Sequence, residues 1–251
     1  MDRPPVPGIL IEGHEYSGKS TLAQRVADGL RLRGLAVRAS HGTLTRDPLV
    51  RSLLDEALTV FEGTEHHEFR HPETWRRFNS RRSAQLILDT ELFGELGPGP
   101  GEILVQDRYW LPQYAFNQYF TPAEGYLSEA WTASRVPRFT VQVYLTCDTA
   151  TRRRRAATRD GDGAKHPLNA FLRRHLDEVA GLDRFTTGLI QDSPHWLVLR
   201  SDRLSPEEMT DVVLKRFDTR PASRPAEPVP ASRPAEPVPA FGARADRWST
   251  E

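Results

Sequence analysis

The chain has 251 residues, 38% of them hydrophobic, with 34 basic and 34 acidic side chains and a single cysteine, Cys147. That length holds one sizeable α/β core and a tail but hardly two full domains. The balanced charge gives no electrostatic reason for nucleic acid or an anionic membrane as partner, one cysteine excludes an intrachain disulfide framework, and no apolar run reaches the ~20 residues of a membrane span. Met1-Asp2-Arg3-Pro4-Pro5 lacks the apolar core of a secretion signal, so the expectation is a soluble, cytoplasmic protein.

Taken in order, residues 8–12 read as a first strand and 18–33 as a helix closed by Gly34. Between them stands Gly13-His14-Glu15-Tyr16-Ser17-Gly18-Lys19-Ser20-Thr21: a glycine, four residues, then Gly-Lys-Ser, after a buried strand and before a helix. This is a phosphate-binding loop in the context it needs. Its glycines let successive N–H groups turn towards phosphate oxygens, and the helix behind directs its positive end to the same place. Lys19 is expected to reach the outer phosphates and Ser20 to hold magnesium. Arginine supplies 31 of the 34 basic residues, so a lysine kept here is notable; its compact ammonium fits where a planar guanidinium would not.

Residues 35–39 predict a second strand, and strand–helix–strand implies a parallel sheet with right-handed crossovers. Asp47 and Pro48 are the N-cap and first turn of a helix over 48–60 with Leu49, Leu53, Leu54, Ala57 and Leu58 at helical spacing. His67-Glu68-x-x-His71 matches the zinc-protease pattern, but Pro72 turns His71 away from helical angles, so 65–71 reads as a solvated loop. A helix over 72–95 carries Trp75, Phe78, Arg82, Leu86, Leu88 and Leu92, and Gly97-Pro98-Gly99-Pro100-Gly101 ends it.

Ile103-Leu104-Val105 reads as a strand buried on both faces, followed by Asp107, where phosphate-loop proteins place the acid that orients magnesium. Residues 110–134 look helical but broken at Pro112 and Pro122, residues 139–145 alternate as a strand, and Asp148 caps the next helix. That helix carries Arg152-Arg153-Arg154-Arg155. The first three read as a solvated basic face; Arg155 and Arg159, a turn apart before Asp160-Gly161-Asp162-Gly163, suit a lid over a transferring phosphate. A long helix over 166–190, a strand over 196–199 and a helix opened by Ser205-Pro206 complete a domain of residues 1–218. Residues 219–251 form a proline-rich tail, expected to be disordered, in which the nine residues 222–230 recur as 231–239.

On these residues the chain resembles the thymidylate kinase family of nucleoside monophosphate kinases over roughly 8–217. The loop with Glu15 two residues after its first glycine, Phe78-x-x-x-Arg82, Asp107-Arg108-Tyr109 and Arg155-x-x-x-Arg159 occur in the family's order. Arg46-Asp47-Pro48 resembles the family's Arg-Glu-Pro turn, several residues late. The resemblance implies a three-layer phosphate-loop NTPase sandwich: a five-stranded parallel sheet, helices on both faces and an arginine-bearing lid. It implies that Phe78 stacks on the acceptor base, Arg82 bonds its edge, and Arg108 and Arg46 serve the acceptor. Gln113, Phe116 and Asn117 line the base pocket, Asp107 and Glu15 act around magnesium, and the chain pairs as a homodimer through the helices near 48–60 and 72–95.

The implied reaction is phosphoryl transfer from ATP to a nucleoside monophosphate, dTMP first. Two polyanions meet in such a reaction, so catalysis is positioning and charge neutralisation by Lys19, Arg108, Arg155, Arg159 and magnesium. A deoxynucleoside kinase must instead activate a neutral hydroxyl; after the second strand the sequence reads Ser40-His41-Gly42, with no acid until Asp47. A non-catalytic nucleotide-binding protein whose tail engages a partner is the third reading.

Overall fold

The computed structural model describes residues 5–64, 66–158 and 167–219. Arg159, the 160–163 loop and the tail from 220 onward lie outside these described residues. Five strands, β1 (Val6–Glu12), β2 (Val37–His41), β3 (Ile103–Asp107), β4 (Phe139–Thr146) and β5 (Trp196–Arg200), form one sheet in the order β2-β3-β1-β4-β5. Every pairing is parallel. The helices are α1 (Lys19–Leu32), α2 (Pro48–Thr59), α3 (Pro72–Leu96), α4 (Leu111–Phe120), α5 (Glu129–Arg135), α6 (Thr149–Thr158), α7 (Pro167–Arg174), α8 (Leu176–Ile190) and α9 (Pro206–Asp218). None is long and apolar enough to cross a membrane.

Period-2 alternation on β1 makes the three layers. Ile9 and Ile11 pack with Leu22, Val26 and Leu30 of α1 and Val213 of α9, whereas Leu10 faces the other way onto Leu86 of α3 and Leu104 of β3. A third, aromatic cluster joins Phe61, Phe69, Trp75, Phe78, Phe116 and Phe171 beneath the helices of the second layer. Trp75 stacks on Phe120 at 3.8 Å and meets Phe78 edge-on at 5.8 Å.

The helix starts follow the expected chemistry. Asp47 accepts from the N–H of Leu49 and Val50, Asp148 accepts from Thr151 N–H at 2.7 Å, and Ser205 with Glu208 closes a reciprocal capping box. Gly34, at φ 78°, closes α1 through its N–H to the Arg31 carbonyl.

Three expectations are corrected. The second strand begins two residues late and runs to His41, because its register is set by β3, with Val37 opposite Ile103 and His41 opposite Asp107. The long helix over 166–190 is two helices, broken at His175 (φ −121°, ψ 42°), whose ring packs against Phe171 and Phe69. Arg152 is no solvated residue: it is fully buried, whereas Arg153 and Arg154 are exposed as expected.

Gly13 joins β1 to the loop at φ 144°, and a Cβ there would lie 2.4 Å from the Leu145 carbonyl oxygen on β4. Backbone cannot yield as a flexible side chain does. Gly13→Ala is therefore expected to destabilise the chain by about 3 kcal/mol, read as a melting temperature lower by roughly 6–12 °C.

Candidate functional site

The carboxyl ends of β1 and β3 meet at the phosphate loop. Tyr16 (φ 61°) and Gly18 (φ 97°) adopt left-handed angles, and three successive loop carbonyls are each taken by a cation. Lys19 Nζ donates to the His14 carbonyl at 2.7 Å, the Arg152 guanidinium to that of Glu15, and the Arg155 guanidinium to that of Tyr16 at 3.1 Å. Carbonyls turned outward leave the N–H groups and the first turn of α1 to face an anion. The His14 side chain is buried, its Nε2 2.8 Å from Thr186 Oγ1. Because that hydroxyl donates to the Leu182 carbonyl, it accepts from His14; burial, against the charges of Asp183 and Glu15, lowers the imidazole to about 4.

Ser20 and Asp107 converge, Ser20 Oγ donating to Asp107 Oδ2 at 2.7 Å while His41 Nδ1 lies 3.0 Å from the same oxygen. Asp107 Oδ1 is buried with no hydrogen-bond partner. Burial raises this carboxyl, but the His41 bond and the Lys19 charge outweigh it and hold it at about 2, ionised throughout the neutral range. An ionised oxygen with a free lone pair beside a hydroxyl fits a hard cation. Among the described residues no three histidine, cysteine or acidic side chains converge, so an ion there would take its other ligands from phosphate and water, as magnesium does.

Glu15 is bound elsewhere. Its Oε1 accepts from Arg108 Nη1 at 2.6 Å, and although burial raises the carboxyl, Arg108 and Lys19 bring it down to about 2. Arg108 itself stands at φ 65°, an angle non-glycine residues rarely adopt. What holds it is Glu12, the fully buried last residue of β1, whose carboxylate accepts from the N–H groups of Tyr109, Trp110 and Leu111 at the start of α4. Glu12 was not singled out from the sequence; the signal was present, as an acid closing an apolar strand.

Two clefts flank the loop. One, of about 310 Å3, runs from Lys19, Ser20, His41 and Arg108 to Phe78, Arg82, Gln113, Phe116 and Leu168. The other, of about 360 Å3, lies between Gly18, Lys19, Ser20 and Thr21 and the side chains of Arg155, Pro206 and Met209.

No protein-family model matches the sequence, and no curated protein matches it significantly. Solved structures do match. The thymidylate kinase of Candida albicans superposes with a TM-score of 0.57 at 16% identity, over 86% of this chain and 92% of that one. A deoxyadenosine kinase from M. mycoides gives 0.50 at 13% identity, over 84% and 98%. This chain has the P-loop nucleotide kinase fold.

On that P-loop kinase fold the sequence-predicted residues fall as follows. Phe78, Arg82, Gln113 and Phe116 line the first of the two clefts with Glu15, Lys19, Ser20 and Arg108. Arg82 is buried, donating to the carbonyls of Gly42 and Tyr109 and leaving Nη1 without a partner; burial lowers it to about 10, still charged. Asn117 does not line that cleft but accepts from the Gln113 amide at 3.2 Å behind it. Arg46 is exposed in a neighbouring pocket with Asp47 and Thr45, and Arg51 of α2 reaches the Phe78-lined cleft where Arg46 does not. Arg155 bonds Ser201 as well as the loop. In the zinc-like segment His71 is the N-cap of α3 at ψ 112°, and its Nδ1 accepts from Thr74 N–H, so the two histidines do not share a helical turn.

Burial raises Glu12 to about 7, outweighing the N–H donors of Leu111 and Tyr109 and the Arg108 charge. The folded chain therefore holds this proton more tightly than the unfolded one, where the value is 4.5. Stability linked to Glu12 is lost as pH rises from 4.5 through 7. Melting of the wild type and Glu12→Gln from about pH 5 to pH 8 should show the wild type losing up to about 3 kcal/mol relative to the variant across that window.

Proposed function

We propose that the chain is an ATP-dependent phosphotransferase whose acceptor is a nucleoside monophosphate, dTMP first. One observation carries the reading: a single cleft has the phosphate loop at one end and, at the other, an aromatic wall of Phe78 and Phe116 beside the polar groups of Arg82 and Gln113. ATP would lie in the second cleft with its phosphates on the loop, near Lys19 and Arg155. Ser20 and Asp107 would hold a magnesium ion, which neutralises phosphate charge during transfer. Arg108, oriented by Glu15, would hold the acceptor phosphate, with Arg51 as a further cation in that cleft. With this reading goes a homodimer through α2 and α3, checked by light scattering.

A deoxynucleoside kinase is the second reading, favoured by one feature. His41, held by Asp107, lines the same cleft, and a neutral hydroxyl acceptor needs a base where an anionic phosphate does not. Asp47, the acid nearest in sequence, is instead occupied as the N-cap of α2.

ADP release from MgATP against a panel of monophosphates and the matching nucleosides, with product masses recorded, tests both. The leading reading expects turnover with dTMP, near-normal rates in His41→Ala, and loss of about 3 kcal/mol or more of transition-state stabilisation in Lys19→Ala. Turnover of a free nucleoside alone, abolished by His41→Ala, would establish the second reading instead.

A further inference from the structure

The run Arg152-Arg153-Arg154-Arg155 places four guanidinium groups on one short helix, and one of them goes inward. Arg152 has no exposed surface. Its Nη2 lies 2.9 Å from Asp183 Oδ2 on α8, its Nη1 donates to the Glu15 carbonyl of the phosphate loop, and its Nε has no partner. Asp183 is fixed in turn, accepting from Tyr144 Oη at 2.6 Å and Thr146 Oγ1 at 2.5 Å, both on β4.

Stability alone is a poor reason for such a pair. Two charges lose their hydration on burial, and well-packed apolar residues of similar size often do as well or better. The unpartnered Nε adds to that cost. What apolar residues could not do is hold a main-chain carbonyl. Thr186, one turn beyond Asp183 on α8, accepts from the side chain of His14. Two consecutive loop residues are thus tied to α8, His14 directly and Glu15 through Arg152.

Arg152 differs from the other two cations on the loop. Lys19 and Arg155 line the clefts, whereas Arg152 lines neither, so it cannot touch a bound nucleotide and acts only through the loop's shape. We infer that Arg152 and Asp183 are a positioning pair for the phosphate loop, governing affinity for the phosphates of the donor nucleotide and not recognition of the acceptor. The inference rests on the kinase reading above, deepening it with residues that lie outside the motifs that suggested it.

Titration of MgATP into the full chain, wild type beside Arg152→Met, Arg152→Lys and Asp183→Asn, with melting curves to establish folding, tests this. MgATP affinity should fall about 10- to 100-fold in Arg152→Met, the size of a lost hydrogen bond to a charged group. Arg152→Lys should recover part of it, because an ammonium can reach one of the two partners, and the acceptor KM should stay within about twofold throughout. If Arg152→Met does not fold, the other two variants carry the comparison. Folded variants with wild-type MgATP affinity, or with equal losses for donor and acceptor, would overturn the inference. Absence of MgATP binding by the wild type would overturn the kinase reading itself, so the two failures are told apart.

Discussion

A loop can bind phosphate with its backbone only if its carbonyls point away from the space its N–H groups face. Here that orientation is imposed by one cation of the loop itself and two from outside it. Three successive carbonyls, of His14, Glu15 and Tyr16, are held by Lys19, Arg152 and Arg155. Two of those cations come from α6, which can reach the loop only because β4, the strand before it, lies directly beside β1. Sheet order and loop geometry are therefore one constraint: β4 next to β1 brings α6 and α8 against the loop, and β3 on the other side brings Asp107 and Arg108 to its mouth.

The cleft proposed for the acceptor depends on the same strand end. Arg108 sits in a backbone conformation that costs of the order of 1–3 kcal/mol and persists because Glu12 caps the three N–H groups that follow. Its guanidinium then meets Glu15, so an arginine of the Phe78-lined cleft is oriented by a carboxylate of the phosphate loop. The two halves of the site are joined by an ion pair across the cleft floor.

Much of this was legible in the sequence because the signals are local. Strand, glycine loop and helix are adjacent in the chain, and the caps at Asp47, Asp148 and Ser205 act over three residues, whereas Phe78, Arg82 and Gln113 were implied only by the family resemblance. What escaped depends on partners far away in sequence. Nothing in an arginine run says which member meets Asp183, 31 residues on, and Glu12 reveals itself only once the chain after β3 folds across it. His41 is a strand residue only by its register with Asp107, and Arg51 enters the cleft only because α2 packs on α3. Arg46 matched a motif by composition, but the extra residues between β2 and α2 carry it to a neighbouring pocket.

The central claim is that donor and acceptor phosphates meet at one loop between two clefts. It is tested most directly by equilibrium binding of a bisubstrate analogue, adenosine and thymidine joined through a polyphosphate. The account predicts one molecule bound per chain, orders of magnitude more tightly than ATP or dTMP alone, because one ligand then uses both clefts without a second loss of translational freedom. Binding no tighter than that of ATP would contradict it.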